Sequence, residues 1–339
     1  MVVVMKHEAT DADVGAVEAR VRAVGGEAFV SRGAVHTIVG LVGDTDRFEA
    51  IDWTQMSGVD HVIRIGKPYK MVARDLHPET TTVKVGTTPV GRETFTIIAG
   101  PCAVESEEQA LAATRSAKES GASILRGNVF KPRTSPYSFQ GLGELGLEIL
   151  AECRRDTGLP IIVEVVDVSQ VQHVAEIADC LRIGTRNAQN FELLKEVGIT
   201  NKPVMLKRGL AMTIEEWLQA AEYVAQRGNS EIILCERGIR TYETATRNTL
   251  DLAGMAAAQA ETHLPVIVDP SHAVGKKYLV APMARASFAA GADAVMIDVH
   301  PDPEHALCDG PQALLPEDML KLGEELAALA GALGRPLNR

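Results

Sequence analysis

No apolar run among the 339 residues approaches the roughly 18 needed for a membrane-spanning helix. Positive charge is also in short supply. The 45 acidic side chains outnumber 34 basic ones, and the net charge of −11 argues against nucleic acid or an anionic membrane as the main partner. It leaves room for a local basic pocket. Cysteine is sparse and scattered. The five residues (Cys102, Cys153, Cys180, Cys235, Cys308) are odd in number and form no CxxC pair, so a disulfide framework is not expected and a reducing cytosol is the default. The opening Met-Val-Val-Val-Met-Lys-His-Glu is too short and too soon charged for a signal peptide, so the expected location is cytoplasmic. Walker A, HExxH and GxSxG motifs are missing. Gly141-Leu-Gly-Glu-Leu-Gly146 fits GxGxxG, but the preceding Pro136-Tyr-Ser-Phe-Gln140 is no buried strand, which removes a dinucleotide fingerprint. What is present is an apolar fraction of 46%, enough to fill a large domain and a small one.

Residues 1–66 read as the small domain. Val2–Met5 is a β-branched run. Thr10 or Asp11 can cap a helix whose Val14, Val17, Val21 and Val24 share a face, and Gly25-Gly26 stops it. Strands come next at Ala28–Val30 and Val35–Val42, then a helix at Thr45–Ile51 and a strand at His61–Ile65. The order βαββαβ predicts a ferredoxin-like unit. No catalytic cluster occurs in it, which leaves two roles open: binding a regulatory ligand, or capping a barrel or an oligomer. Residues 67–92 read as a linker ending in a hairpin, Val83–Gly91, that plugs one end of the larger domain.

Residues 93–339 repeat one pattern every 25–40 residues: a short apolar run, polar residues, an amphipathic helix. The runs are Phe95–Ala99, Ser123–Leu125, Ile161–Val165, Cys180–Ile183, Val204–Leu206, Ile232–Leu234, Val266–Val268 and Ala294–Ile297. Helices are expected at Ser106–Ser120, Gly143–Arg155, Ile214–Arg227 and Ala245–Thr262, with an amphipathic last helix over Lys321–Ala330. Eight such units predict a (β/α)8 TIM barrel, in which the C-terminal strand ends share one mouth and the first and eighth strands are neighbours.

The strand ends carry two chemistries. Arg126, Lys131, Arg186, Lys207 and Arg237 belong to strands two, four, five and six, and Arg133 shares the loop of Lys131. Unpaired buried charge is too costly to build a core. Cations at equivalent strand ends are suited to gripping a phosphate or carboxylate. Cys102, His272, Asp298 and Asp309 belong to strands one, seven and eight and the last loop. A sulfur, an imidazole and two carboxylates there can converge on a divalent ion, and the mixed donors suit Mn, Fe, Co or Zn better than calcium or magnesium. Taken singly, Cys102 also reads as a small buried hydrophobe, His272 as a core histidine and the aspartates as turn formers.

The ordered segments Gly100-Pro-Cys-Ala-Val-Glu-Ser106, Lys131-Pro-Arg-Thr-Ser-Pro-Tyr-Ser-Phe-Gln-Gly141, Gly184-Thr-Arg-Asn-Ala-Gln-Asn190, Lys207-Arg-Gly209, Cys235-Glu-Arg-Gly-Ile-Arg240 and Asp269-Pro-Ser-His272 resemble the 3-deoxy-D-arabino-heptulosonate 7-phosphate (DAHP) synthases, in their short bacterial form with an N-terminal ferredoxin-like domain. The resemblance implies condensation of phosphoenolpyruvate with erythrose 4-phosphate, the first step of the shikimate pathway. It implies that Arg126, Lys131, Arg186, Lys207 and Arg237 hold phosphoenolpyruvate, and that Arg133 and Thr134 hold the phosphate of erythrose 4-phosphate. Cys102, His272, Asp298 and Asp309 match the metal ligands, and Glu164 lies near the phosphoenolpyruvate site; the chemistry then makes Lys131 the expected proton donor to the new alkoxide, with His272 or Glu164 to handle the protons of the water. A homotetramer and an aromatic amino acid effector are also implied. Asp298 departs from the glutamate usual in the family and is one methylene shorter. Related 3-deoxy-octulosonate 8-phosphate synthases share the barrel but are not expected to carry Lys-Pro-Arg-Thr.

Overall fold

The structure is a computed structural model that describes residues 1–33, 37–63 and 67–338, with the backbone alone at Asp46. It divides into two compact units, Met1–Lys70 and Met71–Arg339.

In the first unit the order is β1 (Val2–Met5), α1 (Asp11–Ala23), β2 (Glu27–Arg32), β3 (Thr37–Val42), α2 (Thr45–Glu49) and β4 (Val59–Ile63). The sheet order is β2-β3-β1-β4, and β1 runs antiparallel to both neighbours, with Val3 opposite Val39 and Val62. This is the ferredoxin-like arrangement. The expected strand ends at Val35 and Ile65 lie outside the described residues. Of the two candidate caps it is Thr10 that closes α1. Its hydroxyl accepts from the Asp13 N–H, and the Asp13 carboxylate accepts from the Thr10 N–H. That fixes the register at which Val14, Val17 and Val21 turn inward, onto Val3, Met5, Val39, Leu41 and Phe48. Gly25 ends the turn at φ +83°, a conformation that costs glycine little.

In the second unit, β5 (Val83–Val85) and β6 (Thr88–Val90) form an antiparallel hairpin. The strands β7 (Thr96–Gly100), β8 (Ile124–Arg126), β9 (Ile161–Val165), β10 (Cys180–Ile183), β11 (Val204–Lys207), β12 (Ile232–Glu236), β13 (Val266–Val268) and β14 (Ala294–Asp298) close a parallel barrel in chain order, with β14 beside β7. Parallel strands buried on both faces need continuous apolar runs, which these are. Val83, Val85 and Val90 of the hairpin belong to the same buried cluster as Ile98, Ile124, Met205 and Met296, so the hairpin plugs the barrel. Around it lie α3 (Glu107–Glu119), α4 (Glu144–Thr157), α5 (Val171–Ile177), α6 (Phe191–Gly198), α7 (Ile214–Ala225), α8 (Leu252–Glu261), α9 (Pro270–Val274), α10 (Lys277–Ala289) and α11 (Pro316–Leu333).

The helix expected from Ala245 begins only at Leu252. Asp251 caps it by accepting from the Gly254 N–H, while Glu243 draws in the N–H groups of Thr244 and Ala245 and holds the preceding segment as loop. No helix among the described residues is long and apolar enough to cross a membrane.

Candidate active site

Barrel closure brings the ends of β7, β13 and β14 together. Asp298 is in register with Gly100, whose φ of +149° and whose approach to the Arg126 carbonyl, which a Cβ would strike, both call for glycine. Cys102 lies two residues further on. After β13, Asp269 caps α9 by accepting from the His272 N–H at 2.9 Å, and Pro270 takes the first helical position, where its missing N–H costs nothing. Ser271 Oγ accepts from the Asp298 N–H at 3.1 Å. Asp309 is the sole non-glycine residue with positive φ among the described residues, at 53°. Aspartate tolerates that region better than most residues, and backbone strain concentrates at functional sites.

These elements place four donors close together. Cys102 Sγ lies 3.6 Å from His272 Nε2 and 3.1 Å from Asp309 Oδ2, and His272 Nε2 lies 3.7 Å from Asp309 Oδ2. Cys308 Sγ lies 3.9 Å from Cys102 Sγ and 3.2 Å from Asp309 Oδ2. His272 Nδ1 donates to Asp269, 2.9 Å from Oδ2, which leaves Nε2 with its lone pair toward Cys102. Arg247 donates to Asp309 Oδ1 at 3.0 Å and fixes that carboxylate.

Asp298 is engaged differently. One oxygen is ion-paired with Arg126, and the other accepts from Gln312 Nε2 at 2.6 Å. It too comes near the cluster: Cys102, His272 and Asp298 can each offer a donor within 4.8 Å of the others. The imidazole meets it with Nδ1, at 3.4 Å.

Buried charge tunes these groups. The Cys102 thiol is held well below its usual range, chiefly by the hydrogen bond from Cys308, with Lys131, Arg126 and His272 adding to it against burial. Burial opposes the Lys131 charge, but Cys102, Cys308 and Glu164 outweigh it and raise its pKa. Lys131 Nζ donates to the Cys102 carbonyl at 3.1 Å and lies 3.2 Å from its sulfur.

The cations line up less simply than an open ring. Lys131, Arg133, Thr134, Arg186, Lys207 and Arg237 border one cavity of about 310 Å³, together with Glu164, His272, Cys308 and Asp309. Arg186 Nη2 is 3.5 Å from Thr134 Oγ1. Two of the five cations already hold a carboxylate: Arg126 pairs with Asp298, and Lys207 with Asp269. Those two do not depend on an outside anion for neutrality, whereas Lys131, Arg186 and Arg237 stand outside these pairs. Burial, with Arg182 and Arg126 nearby, lowers the Lys207 pKa more than Asp269 raises it. Even so, donors remain unused. Arg133 Nη1, on the cavity, is buried and without a hydrogen-bond partner, a costly state that an anion there would relieve; Arg126 Nε and Nη2 also lack one, but Arg126 is fully buried behind Asp298 and is not among the residues that border the cavity.

Glu164 accepts from Asn128 at 3.0 Å and from Arg182 at 2.5 Å. Burial pushes its carboxyl up, but Arg182, Lys131 and Lys207 win and hold it below the ordinary range. A Cβ on Gly184 would collide with the Glu164 carboxylate. Gly184→Ala is expected to expel that carboxylate from its pair with Arg182 and destabilise the protein by about 3–5 kcal/mol, the cost of breaking a buried ion pair. Urea denaturation checks it, and unchanged stability would contradict the placement of Glu164.

Three residues escape the sequence reading. Arg182 is buried in β10 and lines the cavity. Its signal was a lone charge within an apolar strand, in register with Glu164 on β9. Arg247 was not visible as the partner of Asp309, nor Cys308 as the second thiol. Arg208 and Glu236, also at strand ends, pair with each other at 3.1 Å.

Similarity to known families and structures spans the whole chain. The profile of the DAHP synthetase I family matches residues 79–332, and that of the DAHP synthase ferredoxin-like domain matches residues 1–67. A phospho-2-dehydro-3-deoxyheptonate aldolase of Thermotoga maritima is 47% identical over 343 aligned residues, covering 100% of both chains. The crystal structure of phospho-2-dehydro-3-deoxyheptonate aldolase (DAHP synthase) from Thermotoga maritima superposes with a TM-score of 0.79 at 46% identity, covering 99% of each chain. A 2-dehydro-3-deoxyphosphooctonate aldolase of Syntrophotalea carbinolica is 36% identical over 70% of this chain and 92% of its own length.

Proposed function

The chain belongs to the DAHP synthetase I family, and on that footing we propose that its barrel mouth condenses phosphoenolpyruvate with erythrose 4-phosphate to give DAHP and inorganic phosphate, the first step of the shikimate pathway. The observation that carries this reading is the juxtaposition of the partnerless buried guanidinium nitrogen of Arg133 with a thiol, imidazole and carboxylate cluster.

Arg126, Lys131, Arg186, Lys207 and Arg237 hold the phosphate and carboxylate of phosphoenolpyruvate. Arg133 and Thr134 hold the phosphate of the aldose. Two polyanions repel, and cations fixed on a rigid barrel keep them in attack geometry. The enol carbon bonds to the aldehyde carbon, and the aldehyde oxygen takes a proton from Lys131. Water adds to the second carbon, its protons passing to Glu164, and the C–O bond to phosphate breaks.

The donor set fits a divalent ion. Cys102, His272 and Asp309 would hold it, with Asp298 beside them, and Asp269 orients the imidazole as carboxylates orient metal-bound histidines. When bound, the ion supplies Lewis acidity at the aldehyde oxygen. Mn, Fe, Co or Zn suits these donors.

Residues 1–66 serve as a regulatory domain for an aromatic amino acid, residues 67–92 as linker and plug, and residues 93–339 as the catalytic barrel. The enzyme acts in the cytoplasm as a homotetramer.

Phosphate release assayed with each aldose phosphate, before and after chelation, tests the reading. Erythrose 4-phosphate is expected to be preferred over arabinose 5-phosphate by at least about 10²-fold in kcat/KM. Chelation is expected to abolish turnover, and added Mn(II) or Co(II) to restore it. Preference for arabinose 5-phosphate would select octulosonate synthesis instead. The same assay with tyrosine or phenylalanine added checks the effector.

A further inference from the structure

We propose that Cys308 is a protein ligand of the ion, completing a site of two thiolates, one imidazole and one carboxylate with Cys102, His272 and Asp309. This rests on the reading that the mouth binds a divalent metal.

Distances carry the proposal. Among the four donor atoms, five of the six separations lie between 3.1 and 3.9 Å. Ligands placed tetrahedrally at the usual zinc–sulfur, zinc–nitrogen and zinc–oxygen distances stand roughly 3.3–3.8 Å apart. Cys102, Cys308 and Asp309 form a set whose donors all lie within 4.8 Å of one another, and His272 Nε2 joins it through Cys102 and Asp309. Both thiols are buried, and the Asp309 backbone is held in an unfavourable conformation that presents its carboxylate between them.

Asp298 lies within 4.8 Å of Cys102 and His272 but is engaged elsewhere. Its oxygens are occupied by Arg126 and Gln312, and it meets the imidazole on the nitrogen that Asp269 also engages. An ion on Nε2 lies on the other side of that ring. Placing the ion against Asp298 would also set it beside the Arg126 guanidinium, a like charge in a buried site. The shorter side chain at position 298 thus acts as the counter-ion of Arg126, and Cys308 supplies the donor. Two thiolates make the site softer, so Zn(II) and Co(II) are favoured over Mn(II) and Mg(II).

Cobalt(II) added to the full-length metal-free protein is the probe. Thiolate-to-cobalt charge transfer absorbs in the near ultraviolet in proportion to the number of thiolates bound, and X-ray absorption counts the sulfur neighbours directly. The wild type is expected to show two sulfurs. Cys308→Ser is expected to halve the band or lose it, and to weaken cobalt(II) binding by at least about 10-fold, the lower end of what even a residue hydrogen-bonded to a ligand contributes. The sulfur count on the wild type keeps the test valid should the variant not fold. One sulfur in the wild type, or an unchanged band in a folded Cys308→Ser variant, overturns the proposal while leaving the metal site standing. Absence of any thiolate band in the wild type overturns the metal reading itself, and this inference with it.

Discussion

Lys131→Met is expected to lower kcat by about 10³-fold at saturating substrate, within the span that a positioned acid or base contributes. Methionine keeps the bulk and removes the charge. The ammonium lies in hydrogen-bond range of Cys102, at the junction of the cation arc and the thiol cluster, and borders the cavity. Loss of charge also weakens phosphoenolpyruvate binding, so its KM is expected to rise. The two effects separate in steady-state kinetics. A variant with raised KM and near-full kcat would show that Lys131 binds substrate without donating a proton.

The largest effect on stability is expected at Arg126. Its guanidinium is fully buried and paired with the equally buried Asp298. Arg126→Met leaves the buried Asp298 carboxylate with the Gln312 amide as its hydrogen-bond donor and the His272 imidazole 3.4 Å away. Breaking a buried pair from one side costs about 3–5 kcal/mol, a large fraction of the stability of an ordinary domain. Urea unfolding is expected to show a midpoint well below that of the wild type, and the surviving folded fraction is expected to have lost most of its affinity for phosphoenolpyruvate. A variant of unchanged midpoint would mean that the pair is not formed in solution. Asp298→Asn on the Arg126→Met background is expected to recover part of the loss, because the two side chains share one interaction.

The barrel was legible because it writes itself as apolar runs ending in polar groups. Val204 and its neighbours read as a strand buried on both faces, and in this architecture the C-terminal end of such a strand opens onto the mouth. Closure then did what sequence separation concealed, setting Cys102 beside His272 across 170 positions. The helix starting at Leu252 was misplaced because Ala245–Leu250 holds no proline or glycine to stop a helix, while the Glu243 and Asp251 side chains claim the backbone donors that would have extended it. Pairing was the least legible part. Arg126 and Lys207 read as free cations, since nothing in the chain shows that Asp298 and Asp269 lie opposite them. Arg182 was recoverable: one charge in each of two adjacent barrel strands, at positions that pair, marks a buried couple. Cys308 was passed over beside Asp309, although a thiol adjacent to a candidate ligand merits the same weight.

The central claim is that the cation arc and the thiol, imidazole and carboxylate cluster form one reaction centre. Anomalous diffraction from a crystal of the full chain soaked with cobalt(II) and phosphoenolpyruvate tests it most directly. The account expects a cobalt peak bounded by Cys102, His272 and Asp309, with the substrate phosphate on the arginines of the same cavity. A cobalt peak elsewhere, or phosphoenolpyruvate bound away from Lys131 and Arg237, would contradict it.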